Sequence, residues 1–312
     1  MLLTDGVKLA LLVEPRPSPA IGLVLFNACR RLSCSWNITI LHSDENREFV
    51  LDSIHSNRRL RAEMLQGRLR MELLRATIGT SSEWYSQMLQ SGSFWSDLRA
   101  DWVLTLQSDT WICGREKDPP VVKPYIGGMS YQRGSKSDAP FVGHMNGGFS
   151  LRNVKWVKIC IKQMKAKKCS ACVEDELFSM CMKHEPGISI FDLMRFSSDN
   201  KWTGCFDDGG QRVCPWGVHM PWGNGPMPNG ELGTLEHVEE RLQLYNYCPE
   251  LFQLENSQSP KPLDGKGLRR SNQFAQRTKF KPKERTSEVR ERVREERLNG
   301  RSTRRINRAQ AR

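Results

Sequence analysis

Residues 102–109 read Trp-Val-Leu-Thr-Leu-Gln-Ser-Asp, a short run of strand-forming residues that stops abruptly at three polar ones. A run of apolar and β-branched residues of this length is typical of a buried strand. Ligands of parallel α/β sheets bind beyond the carboxyl ends of the strands, so Asp109 is the first candidate for a ligand-binding carboxylate. Its oxygens suit a divalent cation. The alternative, from the residues alone, is that Asp109 only caps the turn that follows.

Outward from this strand, apolar strand patterns alternate with helix patterns along the first half of the chain. Strands are predicted over 7–13, 36–41 and 70–74, and helices over 20–32, 44–56, 82–98, 153–166, 174–183 and 234–247. This alternation predicts right-handed crossovers and an α/β fold with a mainly parallel sheet flanked by helices. Polar residues also follow the first two strands, which places Glu14, Arg16 and Ser43 at the same edge as Asp109.

The net charge of +12 is carried almost entirely by the last part of the sequence. Residues 255–312 hold 18 Lys/Arg against 7 Asp/Glu, which leaves residues 1–254 close to neutral. The pI of 9.4 is therefore no sign that the whole chain binds nucleic acid. Low hydrophobicity with high charge predicts a disordered basic tail over 255–312, after one folded domain over 1–254. The tail is interpreted either as an inert extension or as a tether to RNA or an anionic membrane.

The sequence contains no apolar run long enough for a membrane span and no N-terminal signal-peptide pattern. The chain as written is therefore expected in the cytosol, or in the lumen of the Golgi apparatus or endoplasmic reticulum if its N-terminus is truncated. Ten cysteines lie between Cys29 and Cys248. They are compatible with ordinary thiols, with disulfides formed in an oxidising lumen, or with a weak metal signal at Cys169 and Cys172.

Three further segments carry residues that suit a binding or catalytic site. Residues 146–148, Asn-Gly-Gly, let a backbone approach a ligand closely, although Asn-Gly is also a common turn. Glu174 and Asp175 begin a predicted helix, where acids also simply offset the helix dipole. A later predicted loop contains His219, which could ligate a metal, and Trp222, which could stack on a sugar. A single histidine is more often structural, so each of these signals is weak alone.

Together, short motifs follow one another in a characteristic order over roughly residues 7–225. They are Glu14-Pro15-Arg16-Pro17, Trp84-Tyr85-Ser86, Phe94-Trp95, Leu106-Gln107-Ser108-Asp109-Thr110, Tyr125-Ile126-Gly127, Asn146 to Arg152, Glu174-Asp175, Phe196-Ser197 and Gly217-Val218-His219. This order resembles the DUF5672 family, and the block from Asn146 to Arg152 is its most specific element. The family is similar to the GT-A type of nucleotide-sugar-dependent glycosyltransferase. The resemblance therefore implies a GT-A-like, Rossmann-like fold.

The resemblance also implies a role for each candidate residue. Asp109 matches the Asp-x-Asp motif, here as a single carboxylate, and would hold Mn²⁺ or Mg²⁺ together with His219. The residues implied to bind the donor or substrate are Glu14, Arg16, Ser43, Gln107, Ser108, Asn146, Gly147, Gly148 and Trp222. Asp175 is the implied catalytic base, with Glu174 as runner-up. If Asp175 deprotonates an acceptor hydroxyl opposite the leaving diphosphate, the sugar is transferred with inversion.

These implications predict a metal-assisted glycosyltransferase. It would move a hexosyl or related sugar from a nucleotide-diphosphate donor to a hydroxyl of a glycan or another acceptor. The alternative is an inactive protein of the same fold that binds a nucleotide sugar or a glycan and is tethered to RNA or a membrane by its tail. This alternative is favoured if Asp109 and His219 lie too far apart to share one ion.

Overall fold

The computed structural model describes residues 6–74, 82–129, 145–166, 173–182, 189–199, 205–208, 211–219, 244 and 246–258. All of these residues lie within one compact unit, Met1–Pro260. The predicted tail lies outside the described residues from position 259 onward, as do Trp222 and most of the helix predicted over 234–247. The domain boundary at 254 therefore stays a prediction.

A six-stranded sheet forms the centre of the fold. Its strands are β1 (Lys8–Val13), β2 (Trp36–His42), β3 (Leu69–Leu73), β4 (Trp102–Leu106), β6 (Tyr125–Met129) and β7 (Met145–Asn153). They lie in the order β3-β2-β1-β4-β7-β6, in which β1 to β4 are parallel and β7 is antiparallel to both of its neighbours. Every residue of β1 and β4 is buried, as expected for central strands covered on both faces. The predicted α/β fold with a mainly parallel sheet is confirmed.

Helices flank this sheet. They are α1 (Ile21–Arg31), α2 (Arg47–His55), α3 (Arg58–Leu65), α4 (Ser82–Leu89), α5 (Gly92–Asp97), α6 (Val154–Ala166), α7 (Glu174–Met182), α8 (Ile190–Phe196) and α9 (Leu251–Gln258). Helix α1 buries Ile21, Val24, Leu25 and Ala28, which lie on one face at helical spacing. The single helix predicted over 82–98 is wrong: α4 and α5 are separate because Ser91 is extended just before the poor helix former Gly92.

A second, smaller sheet lies across the end of β4 and positions the candidate site. Its strands are β5 (Thr110–Ile112), β8 (Ser197–Asp199) and β11 (Gly217–His219), in the order β5-β11-β8. Strands β9 (Phe206–Asp208) and β10 (Gln211–Val213) form a separate antiparallel pair. The prediction of a loop around His219 is therefore wrong for residues 217–219, which form β11. Gly217 permits this arrangement, since a Cβ there would overlap the ring of Phe149.

Six of the described cysteines form disulfides, which join Cys113 to Cys248, Cys160 to Cys181 and Cys205 to Cys214. Cys29 and Cys34 are free thiols. The structure supports the disulfide interpretation for these six residues, while Cys169 and Cys172 lie outside the described residues.

In the described ranges, no helix is both long enough and apolar enough to cross a membrane.

The disulfide between Cys113 and Cys248 joins residues 135 positions apart in sequence. Removing a cross-link that closes so long a loop restores a large conformational freedom to the unfolded chain. We expect the Cys113→Ala/Cys248→Ala variant to lose about 2–5 kcal/mol of unfolding free energy. Urea unfolding followed by tryptophan fluorescence measures this loss, with Cys34→Ala, which removes an exposed free thiol, as the control. Equal stability of the two variants would show that the disulfide contributes nothing.

Candidate active site

The candidate site lies at the carboxyl edge of the six-stranded sheet, where β4 ends. Gln107 and Asp109 leave this strand, and the chain then enters β5 at Thr110. Because β11 is antiparallel to β5, His219 pairs with Thr110 and its ring reaches the same edge. The Nε2 atom of His219 lies 3.0 Å from Oε1 of Gln107 and 3.5 Å from Oδ1 of Asp109. The structure therefore brings together the two residues that the sequence predicted as a metal-binding pair.

A second carboxylate holds the other side of the histidine ring. Parallel pairing of β11 with β8 places Asp199 beside His219, and their Oδ1 and Nδ1 atoms are 2.8 Å apart. Both side chains are buried. A carboxylate at Nδ1 fixes the orientation of the ring and directs Nε2 towards Asp109.

Neighbouring acids determine the electrostatics of this histidine. Burial lowers the pKa of His219, but the charge of Asp109 and the hydrogen bond and charge of Asp199 outweigh it, so that the pKa is raised overall. The charge of Asp175 acts in the same direction. The environment of His219 is therefore strongly negative and favours a positive charge, whether on the ring or beside it.

One atom of this cluster lacks a hydrogen-bond partner. Oδ1 of Asp109 is buried and accepts no hydrogen bond. When Nδ1–H of His219 donates to Asp199, its Nε2 lone pair faces this oxygen and the amide oxygen of Gln107. A proton on Nε2, a Gln107 amide turned so that its NH₂ donates, or a bound cation each satisfies this arrangement. The donor set of one imidazole, one carboxylate and one amide oxygen suits Mn²⁺.

Within the described residues, no three His, Cys, Asp or Glu side chains come together as metal ligands. Asp109, His219 and the amide oxygen of Gln107 lie close together at this point, and their binding of a divalent cation stays a prediction. Oxygen atoms of a bound diphosphate would have to complete the coordination, as is usual for Mg²⁺ bound with phosphates.

A positively charged side chain is held at the rim of the same site. Glu14, buried at the end of β1, accepts hydrogen bonds from the backbone and guanidinium of Arg16. Its Oε2 also accepts from the Ser108 hydroxyl at 2.7 Å. The hydrogen bond to Glu14 raises the pKa of Arg16, and the charge of Asp109 adds to the effect. Arg16 is largely exposed, so its guanidinium is fixed in direction while it still faces solvent.

Ser43 lies at this rim too, but its hydroxyl is occupied by the protein. It donates to the carbonyl oxygen of Pro15 at 2.6 Å. Its neighbour Asn46 donates from Nδ2 to the carbonyl oxygens of Glu14 and Arg16. These bonds fix the loop that carries Arg16, and a direct contact of Ser43 with the donor stays a prediction.

The two consecutive glycines of β7 lie against protein side chains on opposite faces of the strand. A Cβ at Gly148 would overlap the ring of His219, and a Cβ at Gly147 would overlap the carboxylate of Glu174. Asn146 accepts a hydrogen bond from the Gly148 backbone at 2.6 Å. The glycines are therefore required for packing at the site, and their contact with a donor sugar stays a prediction.

The two candidate bases at the start of α7 differ sharply in their surroundings. Glu174 is buried, and its Oε1 lies 3.4 Å from Nη2 of Arg152. Burial raises the pKa of Glu174, the charge of Arg152 lowers it, and the charge of Asp175 raises it further. Asp175 is half-buried, accepts from the backbone N–H of Glu176, and is close enough for its charge to act on His219. Of the two, Asp175 is the less buried, and its role as the base stays a prediction.

Several contributors to the site escape sequence reasoning. Asp199 is buried beside His219 and had no signal beyond its position shortly after the Phe196-Ser197 motif. Asn46 gave none. Tyr85 and Arg152 stood in recognised motifs without an assigned role. Burial raises the pKa of Tyr85, and the charges that act on its hydroxyl include those of Arg152 and Asp109. All four residues depend on contacts between distant parts of the chain.

Comparisons with known proteins give one family and several solved structures. The family described as "Protein of unknown function (DUF5672)" matches residues 68–219, so the resemblance predicted from the sequence is confirmed over that region. No curated protein matches the chain.

The solved structures similar to this chain include two of the galactosyltransferase LgtC and one of the glycosyltransferase WbbM. The galactosyltransferase LgtC in complex with donor and acceptor sugar analogues is 13% identical, with a TM-score of 0.44 over 83% of this chain and 99% of that one. An active-site mutant of LgtC is also 13% identical, with a TM-score of 0.42 over the same shares of the two chains. The apo bifunctional glycosyltransferase WbbM is 11% identical, with a TM-score of 0.41 over 83% of this chain and 53% of that one. The chain thus spans about half the length of WbbM.

Proposed function

We propose that the chain is a metal-assisted glycosyltransferase that takes its sugar from a nucleotide-diphosphate donor. The observation that carries the proposal is that Oδ1 of Asp109 and Oε1 of Gln107 both lie within 3.5 Å of Nε2 of His219 at the carboxyl edge of the sheet. These atoms suit a cation, and the guanidinium of Arg16 at the same rim suits a phosphate. A cation and an arginine side by side match a diphosphate, which binds both.

Asp109 and His219 would hold a divalent cation, with Mn²⁺ preferred over Mg²⁺ because one ligand is an imidazole. When bound, such an ion neutralises negative charge that develops on a departing diphosphate. Asp199 fixes the ring of His219. Glu14 holds the guanidinium of Arg16, which would orient the diphosphate by charge-assisted hydrogen bonds.

Asp175 would accept the proton of the acceptor hydroxyl. It is half-buried at the N-terminal end of α7. Glu174 is unsuited to this role because its carboxylate is buried against Arg152. A base that acts opposite the leaving diphosphate gives an inverting transfer, and a hexosyl or related sugar is the proposed group. The acceptor is a hydroxyl of a glycan or another molecule.

The test is a screen of the purified chain against nucleotide sugars, by calorimetric binding and by donor hydrolysis, with Mn²⁺ and with chelator. We expect binding of at least one nucleotide-diphosphate sugar, and tighter binding with Mn²⁺. Absence of binding under both conditions would contradict the enzyme proposal. Binding without hydrolysis or transfer would instead favour the inactive binding protein.

Asp199 offers a further prediction on the same site. Asp199→Asn keeps an oxygen near Nδ1 of His219 but removes the charge that orients the ring and increases its basicity. We expect Mn²⁺-dependent binding of a nucleoside diphosphate to weaken by ~10–100-fold, as is typical when the partner of a metal-binding histidine is changed. Calorimetry in Mn²⁺ measures this, with Asp52→Asn, an exposed carboxylate of α2, as the control. Unchanged affinity would exclude this role for Asp199.

A further inference from the structure

Arg152 is an arginine with no exposure to solvent, at the end of β7. Its guanidinium lies within 5.0–5.5 Å of the ring centroids of Trp95, Tyr125 and Phe178. Cation–π contacts offset part of the cost of burying this charge. Replacing a buried ion pair by apolar residues is often neutral or stabilising, so stability alone does not explain an arginine here.

The hydrogen bonds of this guanidinium join two segments that flank the candidate site. Its Nη2 donates to the carbonyl oxygen of Gly147 at 3.0 Å and lies 3.4 Å from Oε1 of Glu174. Its Nε donates to the Ser150 hydroxyl at 2.9 Å. One rigid, planar group therefore contacts both the glycine segment of β7 (Gly147 and Gly148) and the first turn of α7. The single ammonium of a lysine could not make both contacts with the same geometry.

Both segments lead directly to residues of the proposed reaction. Gly148 follows Gly147 and lies against the ring of His219. Asp175 follows Glu174, whose backbone N–H is held by the Ser86 hydroxyl at 2.7 Å. The carboxylate of Glu174 is thus held by Arg152 and its backbone by α4. The position of Asp175 relative to His219 depends on these contacts.

We infer that Arg152 is a positioning residue, which fixes the first turn of α7 against the glycine segment of β7 and so sets the place of Asp175 relative to His219. The effect on catalysis rests on the proposed function. The mechanical coupling of the two segments does not, because it follows from the contacts alone. The two parts of the inference can therefore be measured separately.

The experiment compares Arg152→Lys with wild type and with Arg70→Lys, an exposed arginine of β3, as the matched control. Hydrogen–deuterium exchange is followed in peptides covering 145–151 and 173–178. Losing a hydrogen bond from a charged donor should speed exchange in these two peptides roughly tenfold or more, while peptides of β1 and β2 stay unchanged.

In parallel, kcat and KM of the same three proteins are measured for Mn²⁺-dependent turnover of the nucleotide sugar found in the screen. We expect kcat to fall by about 10²-fold, the effect of a small misplacement of a catalytic group, with KM unchanged.

A second pair of variants separates positioning from simple charge neutralisation. Glu174→Gln/Arg152→Met removes both charges, so the buried carboxylate is not left without a partner, and Glu174→Gln is its reference. We expect the double variant to fold and yet to keep fast exchange in 145–151, because Gly147 and Ser150 have lost their donor. Recovery of wild-type exchange and kcat in the double variant would overturn the inference.

Two other results test the positioning role of Arg152 and the proposed function separately. Unchanged exchange in both peptides of Arg152→Lys, or equally faster exchange throughout the chain, would also overturn the inference. A wild-type chain that turns over no nucleotide sugar would contradict the proposed function. In that case the exchange data alone support the coupling if only the two peptides respond, and overturn it if they do not.

Discussion

We expect Asp175→Asn to lower the rate of sugar transfer by ~10²–10⁴-fold, the usual contribution of a general base, and to leave donor affinity at its wild-type value. The amide keeps the shape of the side chain but cannot accept the proton of the acceptor hydroxyl. Donor binding survives because the side chains proposed to hold the diphosphate, Arg16, Asp109 and His219, are unchanged. Slow donor hydrolysis should partly survive, since water loses its proton to solvent more readily than a positioned sugar hydroxyl does.

The matched control is Glu176→Gln, which removes the next acid in the same turn of α7. Transfer is measured by separating the glycosylated product, and donor affinity by calorimetry. Equal losses of donor affinity and rate in Asp175→Asn would show that Asp175 supports the structure and is not the base. A loss of rate in Glu176→Gln as large as in Asp175→Asn would point to the charge of the helix terminus as the cause.

We expect Asp109→Asn to abolish the gain in donor affinity that Mn²⁺ is proposed to give. Oδ1 of Asp109 is buried without a hydrogen-bond partner and faces Nε2 of His219 at 3.5 Å. Removing a charged ligand should cost more than the ~10–100-fold in metal affinity that is typical for the outer partners of a ligand. Binding in chelator should change little, because Arg16 and its partner Glu14 remain.

Asp44→Asn is the control for this variant, since Asp44 is an exposed carboxylate that follows β2 at the same edge of the sheet. Donor titrations in Mn²⁺ and in chelator give the four affinities needed for the comparison. An Asp109→Asn variant that keeps the full effect of Mn²⁺ would place the metal elsewhere or exclude it.

The sequence predicts the edge of the sheet well because strand ends carry local signals. The runs ending at Val13, Leu41 and Leu106 are mostly apolar or β-branched, and polar residues follow each of them directly. Parallel strands place such ends side by side, so the proximity of Glu14, Ser43 and Asp109 could be predicted without knowing a single contact.

Contacts between the later segments could not be predicted in this way. The strand β11 has only three residues, and its pairing with β8 depends on packing around Phe149, Phe196 and Trp216. Asp199 contacts His219 only because of that pairing. A three-residue strand has no recognisable period, so its segment resembles a loop in sequence.

The surroundings of the glycine segment could not be predicted from the sequence either. Gly147 and Gly148 were expected to leave room for a ligand, whereas their two faces are filled by Glu174 and His219, which are distant in sequence. A pattern reveals that a side chain is absent from a position. It does not reveal what occupies the space, because that depends on tertiary contacts. The burial of Glu174 against Arg152 likewise depends on a contact between residues distant in sequence.

Calorimetric titration of a nucleoside diphosphate into the wild-type chain, first with Mn²⁺ and then with chelator, tests the proposed diphosphate site directly when Asp109→Asn and His219→Ala are titrated alongside. We expect Mn²⁺ to tighten binding to the wild type and this gain to disappear in both variants. Equally tight binding in Mn²⁺ and chelator by the wild type, or a gain that persists in both variants, would contradict a diphosphate site built on Asp109 and His219.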